Sequence, residues 1–239
     1  MQRLLSIYFK CCYRGHWNEL CSVLDYFLQA PTPSNVDKLK VCVKGAHQYC
    51  ISNAAINSAV TALNNAGVLY KKYIDFEALY DDVRSIIGGI KGIGDLTIYD
   101  TALRIGFTMY PMVLPCRYVY LARGSKAGAT KLLNPITPLN YREPACLFAP
   151  YFGNMSSHFI EDFLCVLKDY IYPFGAIPKT VTIPPYSPYC KCTCSQNLRD
   201  KVDGCCSSSN KSVCGSFCPR ICDVNGNLDK EYLDLENEE

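Results

Sequence analysis

No uninterrupted apolar run in this 239-residue chain approaches the roughly 18–20 residues that cross a bilayer. An export leader is missing by the same measure. Met1–Lys10 carries one early charge and a short apolar stretch, below the roughly 7–15 residues of a signal-peptide core, and no small-x-small site follows. The expectation is an intracellular protein with no membrane partner. Histidine is scarce: His16, His47 and His158 are all there are, and none stands at metal-ligand spacing from another. A lone histidine reads as a structural residue. The most informative shortage is local. Residues 101–142 hold no Asp or Glu, in a chain with 22 acids.

What is present fills a globular body. Hydrophobic residues make up 49% and charged residues 19% of the chain, which excludes global disorder, collagen and coiled coil. Sixteen cysteines is a high count, and half of them fall between Cys190 and Cys222. Charge is uneven too. From Asp223 onward there are seven acids and one lysine, so residues 1–222 carry +8 although the whole chain is +2. A basic body thus bears an acidic tail.

Apolar spacing and capping residues predict a mainly α-helical body over residues 1–175. An amphipathic helix over 1–28 breaks at a Pro31–Asn35 loop. Ser52 caps a helix closed by Gly67, and Asp75 caps a helix that stops at Gly88-Gly89. Asp95 can cap the next, over 96–106, with Leu96, Tyr99 and Leu103 on its apolar face. Residues 118–133 read as a helix weakened by Gly124 and Gly128. A Pro-rich passage from Asn134 to Pro150 follows, then a helix from Ser156 or Ser157 to about Tyr170. Four prolines in 178–188 lead into a Cys-rich module at 186–223, and an acidic tail occupies 224–239.

The helix at about 77–88, the turn Lys91-Gly92-Ile93-Gly94 and the helix at about 96–106 form the plan of a helix-hairpin-helix. Glycines allow the tight turn. Amides at the start of the second helix, with its dipole, hold a phosphate oxygen, a contact that positions a protein on DNA without reading sequence. The stretch resembles the hairpin of the helix-hairpin-helix DNA glycosylase superfamily, where Thr often follows the second glycine by three positions, as Thr97 does here. Val113-Leu114-Pro115-Cys116-Arg117-Tyr118 resembles the turn that supplies that family's catalytic Asp. The resemblance covers at most residues 52–171, and its specific part is about 90–118.

The departures carry meaning. Cys116 and Arg117 occupy the turn where the family has its Asp. Leu96 stands where lyase members carry a nucleophilic Lys, and Ile98 where a small Ala is common. Base excision needs a carboxylate to stabilise an oxocarbenium-like state or activate water. The resemblance therefore implies DNA binding without the family's chemistry.

The acid-free stretch continues this reading. Arg104, Arg117, Arg123, Lys126, Lys131 and Arg142 form an electrostatic footprint for a polyanion, with Tyr110, Tyr118 and Tyr120 interleaved as candidate stacking platforms. The candidate DNA contacts are Lys91, Gly92, Ile93, Gly94, Arg104, Arg117, Arg123, Lys126 and Lys131. The segment Arg123–Lys131 does not meet the P-loop spacing, which rejects a nucleotide triphosphatase.

Cys190, Cys192, Cys194, Cys205, Cys206, Cys214, Cys218 and Cys222 lie in a polar, Ser-rich segment that cannot fold by burial alone. Thiolates at these spacings can converge on zinc. An iron–sulfur cluster is the alternative, since some glycosylases carry one C-terminal to the hairpin, although the spacing here departs at every gap. Disulfides are a third reading. Cys146 or Cys165 with His158 could form a nucleophilic pair, but no local motif supports one. Glu161-Asp162 reads as the polar first turn of a helix.

The expectation is a non-catalytic DNA-binding protein. Two alternatives stay open: a base-excision glycosylase using an unrecognised carboxylate such as Asp100, and a helical module whose partner is another protein.

Overall fold

The computed structural model describes residues 4, 5, 8, 12–45, 51–153, 155–169 and 171. Among them the fold is mainly helical: α1 (Tyr13–Phe27), α2 (Asn35–Val43), α3 (Asn53–Asn65), α4 (Phe76–Ile87), α5 (Asp95–Thr108), α6 (Arg123–Leu133), α7 (Ala149–Phe152) and α8 (Ser157–Val166). Two short strands, β1 (Tyr118–Tyr120) and β2 (Arg142–Pro144), pair antiparallel with Val119 opposite Glu143. No helix among the described residues is long and apolar enough to cross a membrane.

Three helix starts are fixed by their own side chains. Ser34 accepts from the Asp37 amide, Ser52 from Ala55 and Asp75 from Ala78. Such caps satisfy amides the helix cannot and contribute about 1 kcal/mol each. Ser52 and Asp75 perform as the sequence predicts. Ser34 opens α2 directly after the expected Pro31–Asn35 loop, in a stretch for which the sequence predicts no element. The signal for α2 lay in Ser34 followed three positions later by Asp37, with Leu39, Cys42 and Val43 on the buried side.

α5 is the axis of the fold. Every residue from Thr97 to Phe107 is buried, because α1, α2 and α4 all pack against it. A helix surrounded on its sides needs apolar residues all round rather than one stripe. Leu96, expected on the apolar face, is instead among the exposed hydrophobics. Gly94, not Asp95, is the N-cap, and Asp95 is the first helical residue.

A second layer of β1, β2, α6 and α8 closes the body, with α8 also reaching α1. The single helix expected over 118–133 is divided. Tyr118-Val119-Tyr120 is strand because its β-branched and aromatic residues find a partner in 142–144, and helix begins only at Arg123. The Pro-rich passage likewise holds β2, a 3-10 turn (Ala145–Leu147) and α7. Gly124 and Gly128 are not weak points but the contact surface. A Cβ on Gly128 would meet the Leu164 carbonyl oxygen at 2.2 Å, and one on Gly124 the Cys165 sulfur at 2.6 Å. Their bareness lets α6 lie directly on α8.

Candidate nucleic-acid interface

α4 ends at Ile87 with Gly88 donating to the Arg84 carbonyl, and the chain turns through Ile90 and Ile93 amides donating to Ile87 and Ile90 carbonyls. Gly92 takes φ +94°, a conformation that a side chain disfavours. Gly94 has ordinary backbone and serves as the helix cap. Lys91, Gly92 and Gly94 are exposed, whereas Ile93 is buried in the core. Ile93 thus anchors the turn and is not available to an outside ligand.

Gly94 brings no side chain to cap α5, and Ala122 brings none to α6. The first-turn amides of both helices are left to water or to an anion. Tyr141 joins these two starts. Its hydroxyl donates to the Asp95 carbonyl at 2.8 Å, and its carbonyl accepts from Leu121, the residue before the α6 cap, at 2.6 Å. Sequence reading could not find this bridge, since Tyr141 lies 46 residues from Asp95 in a Pro-rich passage.

Around Tyr141 the rings of Phe76, Tyr80, Tyr99 and Tyr120 form a cluster, with Tyr99 and Tyr120 stacked at 5.1 Å. Burial pushes the Tyr99, Tyr120 and Tyr141 hydroxyls above the ordinary phenol value, so they stay protonated. Arg84 lies over Tyr141 and Arg142 over Tyr80. Their charges meet surface carboxylates: Arg84 with Asp95 at 3.6 Å and Arg142 with Asp81 at 3.2 Å. Such exposed pairs contribute little and exchange readily with another anion.

Folding redistributes the acid-free run. Arg104 is a correction to the expected surface: it is buried, bonded to Glu19 at 2.6 Å and to the Cys42 carbonyl at 2.9 Å, with Asp100 at 3.9 Å. A guanidinium on the axial helix can reach carboxylates that sequence places far away. Arg117 meets Asp75 at 3.3 Å, while Lys131 donates to the Lys168 carbonyl at 2.7 Å and lies 4.0 Å from Asp169. Among the described residues, no carboxylate lies within ion-pair distance of Lys91, Arg123 or Lys126. Of the three interleaved tyrosines only Tyr110 is fully exposed; Tyr118 is half-buried and Tyr120 belongs to the core.

Away from this face, α8 turns polar residues inward. Glu161 and Asp162 are buried rather than a solvated first turn, because the helix begins at Ser157 and both face the body. Tyr8 donates to Asp162 at 2.7 Å, and His16 Nε2 lies 3.2 Å from His158 Nδ1. The structure therefore pairs two histidines that lie 142 positions apart. Burial first, and then the neighbouring His16, hold the His158 pKa well below the ordinary histidine range. Burial pushes the Cys165 thiol up to about 12, with Glu161 and Asp162 adding to the effect, which leaves no thiolate for nucleophilic work. Asp100 is buried beside Arg104 and does not line the clefts around Tyr70 and around Ile74.

No group of three metal-ligating side chains forms among the described residues. Cys190, Cys192, Cys194, Cys205, Cys206, Cys214, Cys218 and Cys222, His47, the prolines of 178–188 and the acidic tail all lie outside them. No family model, no curated protein and no solved structure matches the chain.

Proposed function

We propose that the chain binds the phosphate backbone of DNA through the α4–α5 hairpin and catalyses no base excision. The observation that carries this reading is the Tyr141 bridge between the starts of α5 and α6. Two helix ends without capping side chains, each bonded to the same tyrosine, leave first-turn amides for a phosphate. Lys91 on the turn and Arg123 and Lys126 at the start of α6 supply the charge. Arg84 and Arg142 add to it once phosphate displaces Asp95 and Asp81. The lack of chemistry follows from Cys116 and Arg117 at the turn and from the burial of Asp100. Zinc on the Cys-rich segment remains part of the proposal, with an iron–sulfur cluster as its alternative.

The test is anisotropy of a labelled duplex across a salt series. Affinity should fall with a log–log slope of about −0.9 per phosphate neutralised. Lys91→Glu and the Arg123→Glu/Lys126→Glu pair should each weaken binding about equally for unrelated sequences and flatten the slope. Lys131 is a poor probe, since its ammonium is bonded to the Lys168 carbonyl. Salt-independent binding, or none at low salt, would overturn the reading. Release of a base from damaged duplex would restore the glycosylase.

A further inference from the structure

At the end of α5 opposite the hairpin, about 20 Å along its axis, lies a cleft of about 560 Å³. That is room for a ligand the size of one nucleotide. Its wall combines three lysines, Lys38 from α2 with Lys71 and Lys72 beyond the Val68–Tyr70 turn, and the rings of Phe27, Tyr70 and Tyr110. No Asp or Glu lines it. Lys71 is paired with Asp82 at 2.8 Å, a carboxylate that also accepts from the lining Tyr73. Among the described residues, Lys38 and Lys72 have no carboxylate within ion-pair distance, and the Lys38 ammonium stands 5.3 Å over the Phe27 ring.

The tyrosines are the second observation. Tyr110 is 91% exposed and Tyr70 77% exposed, although the body has buried most of its other large rings. Asn35 donates to the Tyr70 hydroxyl, which fixes that ring beside the start of α2. Flat rings standing in water next to uncompensated ammonium groups match a ligand that carries both a planar aromatic face and a negative charge. Sulfate or an acidic peptide would use the lysines and leave the rings idle.

We propose that this cleft binds a nucleotide, its base stacked on Tyr110 and its phosphate set against Lys38 and Lys72. The nucleotide is either free or part of a single strand. A duplex is excluded as the ligand here, because its bases are already stacked and paired. Stacking of this kind tolerates any base and depends on salt through the phosphates. The site is separate from the hairpin and stands whether or not the hairpin holds DNA.

The probe is a labelled oligothymidylate of about 12 nucleotides, with thymidine monophosphate and inorganic phosphate as competitors, on the full chain. Tyr110→Ala should weaken binding by roughly five- to hundredfold, while Tyr110→Phe keeps the ring and the affinity. Lys38→Glu with Lys72→Glu should weaken it and flatten the salt slope. Because these side chains lie at the surface, unchanged circular dichroism should accompany each loss. Lys91→Glu should leave oligothymidylate binding intact even if it abolishes duplex binding, which separates this site from the hairpin. Competition by the monophosphate near the strand's own affinity assigns the cleft to free nucleotide; competition only by strands assigns it to single-stranded nucleic acid. The proposal fails if neither binds. It also fails if Tyr110→Ala has no effect, or if inorganic phosphate competes as well as the monophosphate, since either result leaves a bare anion site.

Discussion

Removing the Arg104 guanidinium should unfold much of the protein's margin of stability rather than strip a contact from DNA. The side chain is 3% exposed and bonds Glu19 at 2.6 Å, with the carboxylate itself 15% exposed. Arg104→Met keeps the length and apolar stem but takes the guanidinium away from the half-buried Glu19 and the buried Asp100, and the donor away from the Cys42 carbonyl. Breaking one partner of a buried pair costs about 3–5 kcal/mol, against a typical total of about 5–15. Urea unfolding followed by circular dichroism measures the loss at neutral pH. One further result should accompany it. Glu19→Gln in the Arg104→Met background should recover part of the loss, because the carboxylate that faced the guanidinium is then neutral. A variant within about 0.5 kcal/mol of the parent, the range of ordinary surface substitutions, would refute the buried ion pair. So would one that keeps its stability and loses only DNA affinity.

The helix contact at Gly128 predicts that Gly128→Ala destabilises by about 1–3 kcal/mol despite alanine's better helix propensity, because the new methyl meets a backbone carbonyl. Gly89→Ala, with nothing within 4 Å, is the control, and equal midpoints in urea would dismiss the contact. His158 is held neutral in the fold while the unfolded chain takes a proton near its ordinary value of 6.5. Stability should therefore be full above that value and decline as pH drops below it, by up to about 1.4 kcal/mol per pH unit. His158→Asn should lose that component, so parallel pH curves for the two proteins would contradict it.

The sequence by itself determined the local parts. Ser52 and Asp75 announce their helices because a capping oxygen acts on an amide three residues away. The turn through Gly92 is equally local, since its positive φ belongs to one residue. Tertiary structure decided everything that depended on who lies opposite. Arg104 belongs to a run without acids, yet Glu19, 85 positions away, makes it an interior residue. Gly124 and Gly128 look like interruptions until α8 is laid on them. Tyr118-Val119-Tyr120 has no reason to be strand until Arg142–Pro144 supplies a partner, and Tyr141 gains its role only when two helix starts converge on it. Tyr110 and Tyr120 are the same residue type ten positions apart, and one meets water while the other stacks in the core. Periodicity and caps are properties of neighbours along the chain. Burial, ion pairing and clefts are properties of neighbours in space, and a chain this rich in long-range contacts hides them until it folds.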